Sequence, residues 1–450
     1  MTIWQRGVNT LRDLKHLIRF EELLRAANNE LVKQACAEGK LALGYNCSYI
    51  PEVLLDVEGC CGLRLRAPGC TSPDMATYYM TNRSCPYSKS ILERAFEGGY
   101  NFLDALIGQE CCCTMNRMEQ YFDYCGLIPK EKFFVACIDM PINRSDWHVG
   151  YYRRQMEKKI LAPLEETYGV DFSEEKLRAA IAEHNELCRI IGEMGDMRKA
   201  ENPVITGYEF HVMQLVSLTC PKYLILPLLR ETLEELKARE PEPKPWFRAR
   251  VMVTGAEIDD PEFTKMLEMS GAMVVADRYC FGSLPGREEI EIREGESALD
   301  AIARHYLYNN HCPRAMGPKN LKARKQYIYE KALEYGAEGV IVESMKFCEY
   351  WGSGRRLADG GLRGTRYAAG LPDRAGLHLR GLGPAQDKVP GLRGIARDKA
   401  HPGRRAEGGR VRWLSRSTAL RKNGAASRTS PRASRSAPSW ATIISKRPIS

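Results

Sequence analysis

Residues 102–126 read FLDALIGQECCCTMNRMEQYFDYCG, and this segment divides into three parts. The apolar run FLDALIG predicts a short buried β-strand, and MNRMEQYFDYCG predicts a helix that ends at a glycine. Between them stand three adjacent cysteines, Cys111, Cys112 and Cys113. The next apolar run, KFFVACIDMP, predicts a further strand that stops at a proline. Strands that alternate with helices in this way are typical of a parallel α/β sheet.

The same alternation extends in both directions along the chain. Upstream, KLALGY and GLRLRAP predict strands, and SKSILERAFEGG predicts a helix. After the proline-rich break REPEPKPWF, a second series of strands is predicted in RARVMVTGAEI, AMVVADRY and AEGVIVESM. We therefore predict an α/β protein with two Rossmann-like parallel domains joined by a helical segment. The predicted divisions are an N-terminal helical segment at 1–35, a first α/β domain at 36–150, a helical connector at 151–245, a second α/β domain at 246–352 and a tail at 353–450.

The cysteine content indicates metal binding or catalysis. The 450 residues include 16 cysteines, and no C-x-x-C pair occurs among them. The charged N-terminus is unlike a secretory signal and no apolar run approaches 18 residues, so we expect a cytoplasmic protein with reduced thiols. Without a C-x-x-C pair, any metal site must gather its thiolates from distant parts of the chain.

Three positions are candidates for such a site, because ligands in open parallel sheets bind beyond the carboxyl ends of the strands. The cysteine triple follows a predicted strand, Cys348 follows another, and Cys85 lies in a polar loop before a helix. Thiolates suit iron–sulfur clusters and zinc, and three of them would leave one metal corner open. The alternative is that these cysteines are small buried apolar residues. Of the triple, only one or two neighbours can reach a common metal.

Other motifs are missing from the sequence. It contains no P-loop, no G-x-G-x-x-G and no G-x-S-x-G, so no nucleotide site is predicted. The eight histidines form no H-x-x-x-H pair, which argues against a histidine–zinc centre. His148 and His211 are expected to be surface or structural residues.

The segments together resemble the 2-hydroxyacyl-CoA dehydratase family, which also includes subunits of the ATP-dependent benzoyl-CoA reductases. The resemblance covers roughly residues 35–352, and the segments that carry it are GYNCSYIPEVLLDVEG, SCPYSKSILERAFEGGYNFLDALIGQECCCTMNRM, RVMVTGAEIDDPEFTKMLEMSGAMVVADRYCFGS, YLYNNHCPRAMGP and ALEYGAEGVIVESMKFCEYW. The order and spacing of these segments are more specific than any one motif.

The resemblance implies a [4Fe–4S] cluster held by Cys85, Cys112 and Cys348. Cys113 stands where the family often has an aspartate, which leaves open whether Cys111 or Cys113 replaces Cys112 as the ligand. Cys280 and Cys312 also match family positions and are interpreted as structural. Ser48 matches a segment that lines the family's active site. It either hydrogen-bonds substrate or stands at the start of a helix that has Pro51 in its first turn.

The activity that the resemblance implies is a lyase reaction. Water is eliminated from a 2-hydroxyacyl-CoA to give an enoyl-CoA, through a ketyl radical formed by one-electron reduction. The implied partners are a paralogous second subunit, a separate ATP-dependent iron–sulfur activator and the acyl-CoA. The alternatives are a subunit of an ATP-dependent benzoyl-CoA reductase and a non-catalytic subunit that holds a cluster or relays electrons. No nucleic acid and no membrane are expected as partners.

The tail differs in composition from the rest of the chain. Residues 353–450 hold 22 lysines and arginines against 5 aspartates and glutamates, whereas residues 1–352 hold 44 against 52. The tail is rich in Gly, Arg, Ala and Ser without apolar periodicity, which predicts disorder. Its basic character alone would suggest nucleic-acid binding.

We interpret the tail as the product of a reading-frame shift near residues 352–355. Residues 372–396, PDRAGLHLRGLGPAQDKVPGLRGIA, can be encoded so that reading from one nucleotide later gives RIEQDYTSEASGQLRTRFQAFVES. That peptide resembles the family's C-terminal segment. The second α/β domain would then lack its last strand and helix, and this chain is expected to be poorly soluble or inactive.

Overall fold

The structure is a computed structural model, and it describes residues 14–110, 112–283, 287–309, 312–314, 318–343, 345–351 and 368–369. The described part of the chain begins with two short helices, α1 (Leu17–Leu23) and α2 (Glu30–Ala37). Asn29 caps α2, and its side-chain oxygen accepts hydrogen bonds from the backbone N–H groups of Leu31 and Val32. These helices lead into the first strand.

The first sheet has four parallel strands in the order β2-β1-β3-β4. Its strands are β1 (Leu41–Tyr45), β2 (Cys60–Arg64), β3 (Ala105–Gln109) and β4 (Phe134–Ile138). A 3₁₀ helix at Glu52–Leu55 follows β1. The strands β2 and β3 are buried at every position, as expected for parallel strands covered on both faces. Three helices connect the strands, namely α3 (Asp74–Met80), α4 (Pro86–Phe96) and α5 (Cys113–Tyr124).

A run of helices separates the two sheets in the sequence. It comprises α6 (Asp146–Met156), a π-helical turn at Glu157–Leu161, α7 (Ala162–Tyr168), α8 (Glu174–Asp196), a 3₁₀ turn at Met197–Lys199, α9 (Gly207–Thr219) and α10 (Lys222–Ala238). None of the helices in the described part of the chain has the length and apolarity that crossing a bilayer requires.

The second sheet repeats the strand order of the first, with β6-β5-β7-β8 all parallel. Its strands are β5 (Ala249–Thr254), β6 (Ala272–Arg278), β7 (Gly339–Val342) and β8 (Ala368–Ala369). Helices α11 (Glu262–Met269), α12 (Ala298–Asn309) and α13 (Pro318–Glu334) complete the described elements. The last strand pairs with β7 at only two positions, whereas β4 pairs with β3 at five.

Helix α9 lies between the two sheets. It contacts β2 and β6, which are edge strands of their sheets, and it therefore covers both edges. The helix is buried almost all round, as its apolar composition requires. His211 on α9 is fully buried between Thr264 Oγ1 at 2.9 Å and the Ile258 carbonyl at 3.1 Å. Burial lowers the pKa of His211 to about 3, so this histidine is neutral and structural, as predicted.

Helix α12 packs away from the strands that precede it in the sequence. Ile302 and Tyr306 lie in the same hydrophobic cluster as Leu43 of β1 and Ile107 of β3, and the Tyr306 hydroxyl donates to Glu52. The helix is therefore part of the layer that covers the first sheet. By contrast, Ala332 of α13 packs with Met252 of β5 on the second sheet.

The prediction of a parallel α/β fold is confirmed, while the Rossmann-like domains and their boundaries stay predictions. The tail was predicted to be disordered, and that stays a prediction; within the tail, Ala368–Ala369 forms β8 by pairing with β7. The rest of the tail lies outside the described residues. The proposed loss of frame concerns that same region and stays a prediction.

Candidate functional site

Each sheet has a topological switch point near its centre. At this point the chain connections from two neighbouring strands run toward opposite edges of the sheet. These points lie between β1 and β3 in the first sheet and between β5 and β7 in the second. Ligands of open α/β sheets bind at the carboxyl ends of the strands beside such points. Ser48 and Cys112 follow the first pair of strands, and Glu257 and Cys348 follow the second pair. Cys112 and Cys348 therefore occupy equivalent places on the two sheets, as do Ser48 and Glu257.

Cys85 is the N-cap residue of α4, with Pro86 in the first turn. Its side chain is buried, and its Sγ lies 3.3 Å from Sδ of Met345, in the loop after β7. Burial raises the pKa of the Cys85 thiol to about 12, while the backbone N–H groups of Ser88 and Tyr87 act in the opposite direction. A thiolate formed here would face the positive end of a helix.

Cys112 is the N-cap residue of the neighbouring helix α5. It is partly buried and packs against the hydrophobic cluster that contains Cys85. Cys113 is exposed in the first turn of α5, and Cys111 lies outside the described residues. Of the two described members of the triple, Cys112 is therefore the one that faces the interior.

Cys348 follows β7, and its backbone N–H donates to the Met345 carbonyl at 3.1 Å. Its side chain packs against the same hydrophobic cluster as Cys112. Burial raises the pKa of the Cys348 thiol strongly, and the neighbouring thiols of Cys85 and Cys112 raise it further. The three thiols are therefore close enough to interact electrostatically, although they come from loops far apart in the sequence.

Arg64, at the end of β2, connects the two sheets beside these thiols. Its guanidinium donates to the Cys280 carbonyl at 2.7 Å and to Glu257 Oε2 at 3.2 Å. Burial raises the pKa of Glu257 to about 7, Arg64 opposes that rise, and Cys112 adds to it. Glu257 is thus a charged neighbour of the thiols, and sequence reasoning missed it. The sequence feature that could have identified Glu257 is its position just after the strand RARVMVT. Functional residues of parallel sheets are common at this carboxyl edge.

The three thiols do not form a ready-made site for a single metal ion. Among the described residues, no group of three or more His, Cys, Asp or Glu side chains is arranged to hold one metal ion. In an iron–sulfur cluster each cysteine thiolate binds a different iron, so the sulfurs need not converge on one point. Binding iron would deprotonate the thiols, whose pKa values are raised in the protein without metal.

Ser48 lies buried in the turn between β1 and the 3₁₀ helix Glu52–Leu55. The N-cap residue of that short helix is Pro51, so Ser48 is not its capping residue. The next residue, Tyr49, is also buried, and burial raises its pKa far above the usual value. The turn thus presents polar groups at the carboxyl edge of the first sheet.

A cavity of about 560 Å³ lies near Cys85, although none of the three candidate cysteines lines it. It is lined by residues from both halves of the chain, including Arg66, Pro86, Glu257, Lys265 and Met345. Because Pro86 follows Cys85 and Met345 contacts it, the cavity opens beside this cysteine. Its volume is within the range of small-molecule sites.

Fold and site together define an α/β protein with two parallel sheets, in which Cys112 and Cys348 follow central strands and Cys85 stands at the start of a helix. The sequence model of the family described as 2-hydroxyglutaryl-CoA dehydratase, D-component, matches residues 47–360. The chain belongs to this family, as its sequence resemblance indicated.

Several characterised proteins are similar to the chain along most of its length. The (R)-phenyllactyl-CoA dehydratase beta subunit of Clostridium sporogenes is 24% identical over 330 residues, which are 73% of this chain and 85% of that protein. The lactoyl-CoA dehydratase subunit beta of Anaerotignum propionicum is 24% identical over 312 residues, which are 69% of this chain and 80% of that protein. One subunit of the benzoyl-CoA reductase of Thauera aromatica is 20% identical over 268 residues, which are 59% of this chain and 67% of that protein.

Proposed function

We propose that this chain is the iron–sulfur subunit of a 2-hydroxyacyl-CoA dehydratase. In this reaction water leaves a 2-hydroxyacyl-CoA to give an enoyl-CoA, through a ketyl radical that forms after one-electron reduction. The observation that supports the proposal is that Cys85 and Cys112, from two other loops, are electrostatic neighbours of the Cys348 thiol. Membership in the dehydratase family supports it independently.

Cys85, Cys112 and Cys348 would hold a [4Fe–4S] cluster. When bound, the cluster supplies a one-electron donor and an iron without a protein thiolate that acts as a Lewis acid. Cys85 and Cys112 are the N-cap residues of α4 and α5, and the positive ends of these helices would favour negative charge on their sulfurs. The hydrophobic cluster that contains Cys85, and against which Cys112 and Cys348 pack, would limit the access of water to them.

Ser48 would hydrogen-bond the substrate from the carboxyl edge of the first sheet. It stands in the turn after β1, next to the strand whose end carries Cys112. A hydroxyl at this place can donate to an acyl oxygen without carrying charge. Loss of this bond would weaken the orientation of substrate and leave the cysteines in place.

Two protein partners belong to the proposal. Relatives of the chain are named beta subunits, which supports a second, paralogous subunit. The sequence has no P-loop, so an ATP-dependent reduction requires a separate activator protein.

A second candidate is a subunit of an ATP-dependent benzoyl-CoA reductase, and the similarity to the Thauera aromatica benzoyl-CoA reductase protein favours it. The two functions share the cluster and the activator, and they differ in the acyl group that is reduced. A third candidate is a subunit that holds a cluster or relays electrons and does not contact substrate.

The test is an assay without air that combines the chain with its partner subunit, activator, ATP and a low-potential reductant. A 2-hydroxyacyl-CoA should yield the enoyl-CoA, and benzoyl-CoA should remain unchanged. Reduction of benzoyl-CoA alone would establish the second candidate. Turnover that persists at the wild-type rate in both Ser48→Ala and Cys348→Ser complexes would place the active site outside this chain.

A further inference from the structure

Glu257, in the loop after β5, is an electrostatic neighbour of all three candidate thiols. Burial is the main reason that the pKa values of the Cys85 and Cys348 thiols are raised, and Glu257 adds to both increases. Burial also raises the pKa of Glu257 itself to about 7, and Cys112 adds to that rise. One carboxyl group therefore interacts with thiols from three separate loops.

The packing around the cavity independently places Glu257 near Cys85. Glu257 and Met345 both line the cavity of about 560 Å³, and Sδ of Met345 lies 3.3 Å from Sγ of Cys85. Pro86 and Tyr87, which follow Cys85 in the chain, line the same cavity. Glu257 therefore shares this cavity with residues that adjoin Cys85 both in sequence and in space.

Arg64 provides the counter-charge that favours an ionised Glu257. Nη2 of Arg64 lies 3.2 Å from Oε2 of Glu257, and the two side chains are only 1% and 16% exposed. A guanidinium stays protonated in proteins, and a buried cation without an anion beside it is strongly destabilising. The pair thus holds a carboxylate in surroundings of low polarity, where charges act on one another more strongly than in water.

A carboxylate at this place affects any redox centre that the thiols hold. Thiolates that bind iron are negatively charged, and reduction adds one more negative charge. Because like charges repel, a carboxylate nearby makes the added electron less stable. Net charge is one of the factors that set the reduction potential of an iron–sulfur cluster. Reduction of a thioester to a ketyl radical requires an electron of low potential.

We propose that the Glu257 carboxylate, held in place by Arg64, lowers the reduction potential of the cluster bound by the three candidate cysteines. This inference rests on the proposed function. Glu257 is a positioning residue, which acts through its charge and binds neither iron nor substrate. One electron from the ATP-dependent activator is taken up, and no bond is made or broken in that step. The lower potential makes the same electron a stronger reductant for the thioester.

The test is a potentiometric titration of the purified chain without air at pH 8, followed by electron paramagnetic resonance. Glu257→Gln should keep the wild-type iron content and raise the midpoint potential by at least about 59 mV, which is a tenfold change in a one-electron equilibrium. The matched control is Glu268→Gln, the same substitution at another buried carboxyl whose pKa is raised to about 7. Glu268 contacts Val274 near the start of β6, and its variant should keep the wild-type potential.

A second variant separates charge from shape. Glu257→Asp retains the carboxylate and should keep a potential near that of wild type, whereas an increase as large as in Glu257→Gln would overturn the inference. An unchanged potential in Glu257→Gln, or an equal increase in Glu268→Gln, would overturn it too. Loss of iron in Glu257→Gln would assign the carboxylate to holding the metal instead. Each of these results leaves the proposed function standing, while a wild-type chain without iron would overturn both.

Discussion

At the scale of single residues, the charge of a buried side chain depends on its partner. Asp277 at the end of β6 is fully buried, and burial alone would raise its pKa. Arg198 and Arg287 lower that pKa to about 2 instead, so the carboxylate stays ionised. Glu268 is the opposite case. Burial raises its pKa to about 7, although the backbone N–H groups of Gly207, Tyr208 and Val274 act against the rise.

The Asp277→Asn variant should lose about 3–5 kcal/mol of folding free energy, because it leaves the buried Arg198 without its carboxylate. Urea unfolding at neutral pH measures the loss. The control is Asp300→Asn, whose pair with Arg153 is partly exposed at 3.4 Å and should change stability by less than about 1 kcal/mol. Similar losses of folding free energy in the two variants would show that the buried ion pair stabilises the protein no more than the exposed one.

The Glu268→Gln variant should change how stability depends on pH. The folded pKa of about 7 exceeds the ordinary value of 4.5, so the folded state holds a proton that the unfolded state releases between these values. The extra folding free energy that this proton provides is fully present below pH 4.5. It is lost as the pH rises to the folded-state pKa of about 7. At about 1.4 kcal/mol per pKa unit, wild type should lose on the order of 2–3 kcal/mol relative to the variant between pH 5 and pH 8. Parallel pH profiles of the two proteins would contradict this.

At the scale of elements, helix α9 is held against β6 by the close packing of its first residue, Gly207, on Val274 and Glu268. Gly207 is the first residue of the helix, and its N–H donates to Glu268 Oε1 at 2.7 Å. A Cβ on Gly207 would lie 2.6 Å from the Val274 carbonyl oxygen and 2.7 Å from Glu268 Oε1. The helix therefore requires glycine at its start, while Thr206 and Glu209 form a capping box around it.

The Gly207→Ala variant should destabilise the protein by about 1–3 kcal/mol through overpacking. Its matched control is Gly192→Ala in the interior of α8, where a Cβ would meet nothing within 4 Å. There alanine should stabilise the helix by roughly 0.5–1 kcal/mol. Thermal unfolding of both variants gives the comparison, and shifts of the same sign would refute the packing argument.

The strands could be predicted from the sequence because parallel strands are continuous apolar runs, as LALGY and VMVT are. The positions of Cys85, Cys112 and Cys348 followed from the ends of those runs and from the family resemblance. The packing of α12 on the first sheet could not be predicted, because its apolar stripe fits any covered surface. Likewise the buried pairs of Arg64 with Glu257 and of Arg198 with Asp277 join residues from separate segments, which no local pattern connects.

At the scale of the whole molecule, the two sheets have the same strand order and their functional loops emerge at equivalent places. Arg64 and the contact between Cys85 and Met345 connect the carboxyl edges of the two sheets. The sheets differ in their fourth strand, which has five residues in β4 and two in β8. A frameshift before β8 would account for this difference.

The nucleotide sequence of the gene tests that explanation. Downstream of residues 352–355, the frame that begins one nucleotide later should encode a peptide like RIEQDYTSEASGQLRTRFQAFVES and continue without early stops. A chain expressed from the restored frame should be more soluble than the present one, because a full strand would cover the edge of β7. Early stops in that frame, or equal solubility of the two chains, would count against it.

The central claim is that three distant cysteines hold one iron–sulfur cluster. Iron and sulfide analysis of the chain purified without air, restored to its full frame, tests it most directly. We predict about four irons and four sulfides per chain, with a large loss in Cys85→Ser, Cys112→Ser and Cys348→Ser and no loss in the exposed control Cys113→Ser. A metal-free wild-type chain, or full iron content in the Cys348→Ser variant, would contradict the account.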